Sequence, residues 1–194
     1  VIVDEEHRFG VEHKEKLKTL KLNAHVITLT ATPIPRTLNM ALSGIRDITI
    51  MNTPPANRLP IKTFVSRYDE DLIKRAIETE LARGGQVFFL HNRVASIERA
   101  AADVVRLVPG ATVSVAHGQM SEKELEKAMM DFYQRASQVL VFTTIIESGL
   151  DVPSANTLIV DRADALGLAQ LYQIRGRVGR CQERAFAYLL IPGA

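Results

Sequence analysis

The stretch Gln170-Leu171-Tyr172-Gln173-Ile174-Arg175-Gly176-Arg177-Val178-Gly179-Arg180 concentrates more chemistry than any other part of the chain. At about 100° per residue, Gln170, Gln173, Arg177 and Arg180 share one helical face, and Leu168, Leu171, Ile174 and Val178 share the opposite, buried one. Guanidinium groups placed in this way can spread over phosphate oxygens and stabilise the charge of a phosphoryl-transfer transition state. Gly176 and Gly179 can end the helix early and let the backbone approach a ligand. A plain basic helix face is the competing reading.

A second candidate centre is Asp4-Glu5-Glu6-His7, which follows the apolar run Val1-Ile2-Val3. Ligands of open α/β sheets sit at the carboxyl ends of strands, where these side chains would emerge. One carboxylate there suits Mg²⁺, and the next can polarise a nucleophilic water. A charged strand end beside a solvated helix, Glu12 to Lys21, reads equally well. Thr30-Ala31-Thr32-Pro33 closes the next apolar run at the same edge, as either a pair of sensing hydroxyls or a plain strand end. Pro35 opens a helix from a first-turn position. His7, His13 and His25 lack zinc-ligand spacing.

Three further strand exits carry polar groups: His91-Asn92-Arg93, His117-Gly118-Gln119-Met120-Ser121 and Thr143-Thr144. Thr143 is placed to cap a helix, where free amides and the helix dipole favour a phosphate. Each alone is an ordinary cap or turn. Together on one sheet edge they could follow a nucleic-acid backbone without reading bases.

The elements that must position these groups alternate along the chain. Expected strands are Val1–Val3, Val26–Leu29, Asp47–Ile50, Ile61–Val65, Val87–Leu90, Thr112–Ala116, Val139–Phe142, Thr157–Val160 and Phe186–Leu190. Several are almost wholly apolar, as parallel strands covered on both faces are. Between them run helical stripes: Leu72, Ile73, Ala76, Ile77 and Leu81; Ile97, Ala101, Val104 and Val105; Leu125, Ala128, Met129 and Phe132. The last is opened by a Ser121/Glu124 capping-box pattern. Such alternation predicts an α/β fold with a largely parallel sheet. Three prolines within residues 52–60 mark a linker, which divides the chain into 1–51, 52–60 and 61–194.

Of the 194 residues, 46% are apolar and 24% charged, enough for a packed core. No apolar run approaches the roughly 18–20 residues of a membrane span, so a soluble protein without membrane partners is expected. The single cysteine, Cys181, excludes a disulfide framework and a cysteine-rich zinc site, and fits a reducing, cytoplasmic setting. A net charge of +2 is too small for whole-molecule attraction to nucleic acid, so any such contact must come from placed groups.

Taken in order, Asp4-Glu5-Glu6-His7, Thr30-Ala31-Thr32, the three strand exits, Thr143 to Asp151, and Gln173-x-x-Gly176-Arg177-x-Gly179-Arg180 resemble motifs II to VI of superfamily 2 helicases and translocases. The resemblance covers essentially the whole chain. His7-Arg8-Phe9-Gly10-Val11, Thr30 to Leu38 and Gly167-Leu168-Ala169-Gln170-Leu171 are similar to the double-stranded DNA translocases of that superfamily. Pro54-Pro55-Ala56-Asn57-Arg58, Ile61 to Val65 and Phe89-Leu90-His91-Asn92-Arg93 are closer to its transcription-coupled-repair branch than to its fork-remodelling branch.

The resemblance implies RecA-like parallel-sheet lobes, the second complete and the first truncated at its start. It implies ATP and Mg²⁺ as cofactors and double-stranded DNA as partner. RNA polymerase and nucleotide-excision repair proteins would be reached through regions outside this chain. By the same token Asp4 and Glu5 would form the metal and water site. Arg177 and Arg180 would be arginine fingers on ATP, and Asp151 would lie near the ribose. His7, Thr30, Thr32 and Gln173 would couple nucleotide state to lobe closure, with Gln173 also at the nucleotide. Asn92, Arg93, His117, Gly118, Gln119, Thr143 and Thr144 would meet the phosphates of one DNA strand.

One departure stands out: no Gly-x-x-x-x-Gly-Lys-Ser/Thr phosphate loop occurs in these 194 residues. The chain alone is therefore expected to be inactive as an ATPase. A non-catalytic α/β module that binds a nucleic-acid backbone is the alternative from another class. A metalloenzyme built on Glu5, Glu6 and His7 ranks below it.

Overall fold

The computed structural model describes residues 1–4, 24–29, 49, 51, 59–144, 152–180 and 183–193. The chain divides into two compact units, Val1–Thr53 and Pro54–Ala194. In the first, β1 (Ile2–Asp4) and β2 (Ile27–Leu29) pair in parallel, with Asp4 opposite Leu29, so both strands end at one edge. Of the expected strand over 47–50 only Thr49 is described, and it is in no strand.

The second unit is a strand–helix succession. It comprises β3 (Lys62–Arg67), α1 (Glu70–Ala82), β4 (Gln86–His91), α2 (Val94–Leu107), β5 (Val113–Ala116) and α3 (Glu122–Tyr133). Then follow β6 (Val139–Phe142), β7 (Ala155–Asp161), a 3₁₀ turn (Ala163–Ala165), α4 (Leu168–Arg175) and β8 (Phe186–Ile191). The six strands form one sheet in the order β3-β8-β7-β4-β6-β5, and every pairing is parallel.

The period of two along β4 sorts the core. Val87 and Phe89 face a layer with Ile73 and Ile77 of α1 and Ile97 and Val104 of α2. Phe88 and Leu90 face Phe132 of α3, Phe142 and Ile174 of α4. Phe88 sits 5.2 Å from the Phe132 ring and 5.7 Å, edge-on, from Phe142. Val105, expected in the α2 stripe, is exposed, because 97, 101 and 104 already fill the narrow seam and 105 lies on its rim.

Helix α3 begins as its sequence predicts. The Ser121 hydroxyl accepts from the Glu124 amide at 3.3 Å, and the Glu124 carboxylate accepts from the Ser121 amide at 3.0 Å and the hydroxyl at 2.6 Å. The hydrogen bonds from Ser121 side chain and backbone hold the Glu124 carboxyl below its ordinary value. Stability gained this way is complete above the usual glutamate range and is lost as pH falls through the depressed folded value. Ser121→Ala is expected to lower Tm by about 2–4 °C at neutral pH. The gap between wild type and Glu124→Gln is expected to close as the pH is lowered from 7 to 3. Thermal melts across that range check it; a gap independent of pH refutes the assignment.

Candidate functional site

Because all six strands of the second unit are parallel, their carboxyl ends share one edge. The central strand β4 lies between β6 and β7. After β4 the chain leaves through α2 on one face, toward β5; after β7 it leaves through α4 on the other face, toward β8. The two exits diverge, so the ends of β4 and β7 are the topological switch point of the sheet. Ligands of open α/β sheets bind at such points.

The residues expected at the three strand exits line the same edge on the other side of β4, across the ends of β4, β6 and β5. Asn92 Oδ1, just past β4, accepts from the Thr144 hydroxyl at 2.7 Å and from the Thr144 amide at 3.3 Å, just past β6. With the oxygen so engaged, the Nδ2 hydrogens of Asn92 point away from Thr144 and make no hydrogen bond among the described residues. Thr143 is 2% exposed, and its Oγ1 has no hydrogen-bond partner among the described residues; the turn it is expected to cap, from residue 145 on, lies outside them. Its amide donates to Ala116 O at 3.2 Å, joining the ends of β5 and β6.

After β5, His117 Nδ1 accepts from the Gln119 amide at 3.2 Å, and the His117 amide donates to Met120 Sδ at 3.4 Å. A neutral ring that accepts at Nδ1 carries its proton on Nε2, a donor of the kind phosphate needs. Gly118, Gln119, Asn92 and Arg93 are exposed at this edge.

Two contacts here have no counterpart in the sequence reading, which leaves His91 in a turn with no partner. Its Nδ1 meets Asp161 Oδ2 at 2.7 Å and its Nε2 meets Ser96 Oγ at 2.7 Å. Beyond Asp161 the backbone of Arg162 is left-handed (φ 59°), and its guanidinium grips Asp164 at 2.9 and 3.0 Å. The hydrogen bond from Arg162 holds the Asp164 carboxyl below its ordinary value. An acidic residue closing an apolar strand was the one available sequence signal for Asp161.

The Gln/Arg segment departs from an ideal helix. α4 stops at Arg175, and the chain tightens as the Arg177 amide bonds Ile174 O at 3.0 Å and the Val178 amide bonds Arg175 O at 3.3 Å. Ile174 and Val178 are buried beneath this turn. Leu168, expected on the buried face, is 71% exposed; it is the first residue of a helix only eight residues long. Gln170 folds back to accept from the Gly167 amide at 3.2 Å and so caps the helix instead of joining Gln173 on a ligand face.

Gly179 has φ +72°, and a Cβ there would lie 3.1 Å from Ala185 Cβ and 3.2 Å from Ile61 Cγ1. The turn thus packs tightly against the residues just before β8 and β3, at a glycine whose left-handed backbone a side chain would strain. On either side of that glycine stand Arg177, half-buried, and Arg180, exposed. Gln173, Arg177 and Arg180 each have interaction partners already in this structure.

The amide and guanidinium donors of this unit suit phosphate oxygens. Among the described residues no group of three His, Cys, Asp or Glu could hold a metal ion. Of the expected magnesium pair, Asp4 is described as the last residue of β1, and Glu5 lies outside the described residues, as do His7, Thr30, Thr32 and Asp151. No described helix is long and apolar enough to cross a membrane.

Residues 69–182 match the family described as Helicase conserved C-terminal domain. Over 192 residues the chain is 61% identical to the transcription-repair-coupling factor of Haemophilus influenzae and 57% identical to that of Escherichia coli. Each match covers 99% of this chain and 17% of the relative, so the chain spans about a sixth of the length of these curated relatives. A structure of RecG bound to a three-way DNA junction superposes with a TM-score of 0.76 at 31% identity, over all of this chain and 26% of that one. The expected likeness to helicase C-terminal lobes, and to the transcription-coupled-repair branch, is thereby met.

Proposed function

The chain belongs to the helicase conserved C-terminal domain family, and on that premise we propose that it serves in an ATP-dependent motor that moves along double-stranded DNA. In the reading carried furthest by the high-identity relatives, the motor displaces stalled RNA polymerase during transcription-coupled repair. Residues 1–51 would be part of the first RecA-like lobe, 52–60 the linker, and 61–194 the second lobe.

The observation that carries the reading is the Asn92–Thr144 pair at the β4–β6 edge. A phosphate oxygen only accepts hydrogen bonds, and Thr144 has already given its hydroxyl hydrogen to Asn92. Asn92 Nδ2 is therefore the donor for the DNA backbone, and Thr144 is the group that aims it. Arg93 and His117 add charge and a ring N–H on either side, with Gly118, Gln119 and Thr143 completing the edge.

Arg177 and Arg180 would neutralise charge on the transferring phosphoryl group. Gln173, together with His7, Thr30 and Thr32, would relay nucleotide state, and Asp151 would face the ribose. Asp4 would hold Mg²⁺, which when bound offsets triphosphate charge, and Glu5 would polarise the attacking water. Without a phosphate loop, the 194 residues by themselves are expected neither to bind ATP tightly nor to hydrolyse it.

The test uses the full-length polypeptide that carries this sequence. Duplex DNA is expected to stimulate its ATP turnover. Arg93→Ala is expected to reduce the slope of log affinity against log salt by about 1, as loss of one phosphate contact does. Turnover indifferent to duplex DNA would overturn the reading. The RecG likeness supports a second one, remodelling of branched DNA. Regression of a model fork without displacement of a stalled polymerase would select it.

A further inference from the structure

We propose that His91 is the positioning residue of the DNA-backbone contact. It would set the aim of Asn92 by tying the end of β4 to the end of β7. The inference rests on the reading of Asn92 given above and adds a component to it.

His91 joins three elements. Asp161, a carboxylate and so only an acceptor, receives a hydrogen bond from Nδ1–H across 2.7 Å and ties the end of β4 to the end of β7. Ser96, in the first turn of α2, holds Nε2 at 2.7 Å. The ring is thereby gripped at both nitrogens, and the His91 and Asp161 side chains are only 13% and 16% exposed. Partners on both sides leave the imidazole one orientation.

The next residue in the chain is Asn92, which reaches the other way, to Thr144 past β6. Consecutive side chains thus brace β4 against both of its neighbours at the level where the sheet ends. The turn between them is tight: the Arg93 amide donates to His91 O at 2.9 Å, and the Ser96 amide donates to Arg93 O at 3.2 Å. A rotation at His91 would be passed directly to Asn92 and Arg93. The order carboxylate–imidazole–hydroxyl also occurs in hydrolases, but there free amides must hold an oxyanion. Here the amide of the hydroxyl-bearing residue is already bonded to Arg93 O.

A brace that aims a donor affects how well DNA is held more than how fast the loaded motor turns over. In the full-length polypeptide, with blunt duplex DNA of random sequence, His91→Ala is expected to raise the DNA concentration for half-maximal ATPase stimulation about tenfold. The maximal rate should stay within about twofold. Asp161→Asn should act in the same direction. His91→Ala combined with Asn92→Ala should be no worse than Asn92→Ala alone, since both remove one function.

Ser96→Ala cuts a single bond of the chain and serves if the His91 variant folds poorly; a rise of about threefold is expected. The inference is overturned if His91→Ala and Ser96→Ala lower Tm yet leave the DNA requirement unchanged, or if the losses at His91 and Asn92 simply multiply. Should Asn92→Ala itself leave the DNA requirement untouched, the reading of the DNA edge fails, and the role of His91 falls with it.

Discussion

Arg177→Ala or Arg180→Ala is expected to lower the maximal ATP turnover of the full-length polypeptide by about 10³-fold or more, with DNA affinity changed less than about threefold. The geometry behind this is the interrupted helix. α4 ends at Arg175, Val178 is buried beneath the following turn, and Gly179 is clamped against Ala185 and Ile61. The two guanidiniums are carried on a turn whose backbone has little freedom, so little ordering remains to be done when phosphate arrives. Arg177→Lys should recover only a small part of the loss, because an ammonium cannot reproduce a planar fork on phosphate oxygens. Steady-state ATPase at saturating DNA, beside fluorescence anisotropy for DNA binding, separates the outcomes. Retained turnover with weakened DNA binding would make the chain a backbone-binding module and not a motor part.

The second large effect is on stability and lies at the opposite end of the sheet. Glu80 is 1% exposed, yet it ends in a carboxylate that accepts from the Thr157 hydroxyl on β7 and forms an ion pair with Arg83. Arg83 in turn donates to Arg184 O at 2.9 Å and lies over the Phe186 ring at 5.3 Å. One buried acid therefore joins α1, β7 and β8. Gly85 leaves room for it, since a Cβ at that position would fall 1.7 Å from Glu80 Oε1.

Glu80→Ala strips the partner from a cation that is only 28% exposed and from a buried hydroxyl, and leaves a void. A cost of about 3 kcal/mol is expected, at the lower end for a broken buried pair because Arg83 keeps some contact with water. Gly85→Ala should have a similar effect by displacing the same carboxylate. The triple change Glu80→Met, Arg83→Met, Thr157→Val should restore most of the loss, as apolar replacement of a whole buried pair does. The chain has no tryptophan, so urea unfolding is followed by circular dichroism. A Glu80→Ala midpoint equal to wild type would show that the carboxylate contributes nothing.

Glu80 also shows where reading the sequence stops. On a helix whose apolar stripe is Leu72, Ile73, Ala76, Ile77 and Leu81, a glutamate reads as solvated. Its burial depends on Thr157, 77 positions away, and on a glycine that looks like a turn. Runs such as Val87–Leu90 and Val139–Phe142 are legible because a strand buried on both faces reads as a nearly continuous apolar run, and both lie within strands as expected. The start of α3 is legible because a capping box is local.

Strand order is not legible in this way. Nothing near β4 says that β7 and β6 will flank it, so Asn92 and Thr144 are each identifiable as strand-exit residues while their bond is not. His91 and Asp161 are further apart still, 70 positions, and an imidazole in a turn has no periodicity to betray its partner. Leu168 misleads for the opposite reason, since helical periodicity assumes a helix longer than the eight residues of α4.

The position of β3 bears on how the second unit is made. Among the described strands, β3 stands at the edge of the sheet and pairs with β8 alone, with Lys62 opposite Phe186 and Arg67 opposite Ile191. A ribosome releases the β3 segment about 120 residues before its partner. At roughly 5–20 residues per second the nascent strand waits on the order of 6–25 s for that partner. Phe64 and Val65 remain exposed even in the finished sheet, so the nascent segment carries an apolar pair, flanked by Lys62 and Arg67, whose charges discourage pairing with other chains. Until β8 is made, β3 cannot join the sheet, so the unit closes only with its last strand.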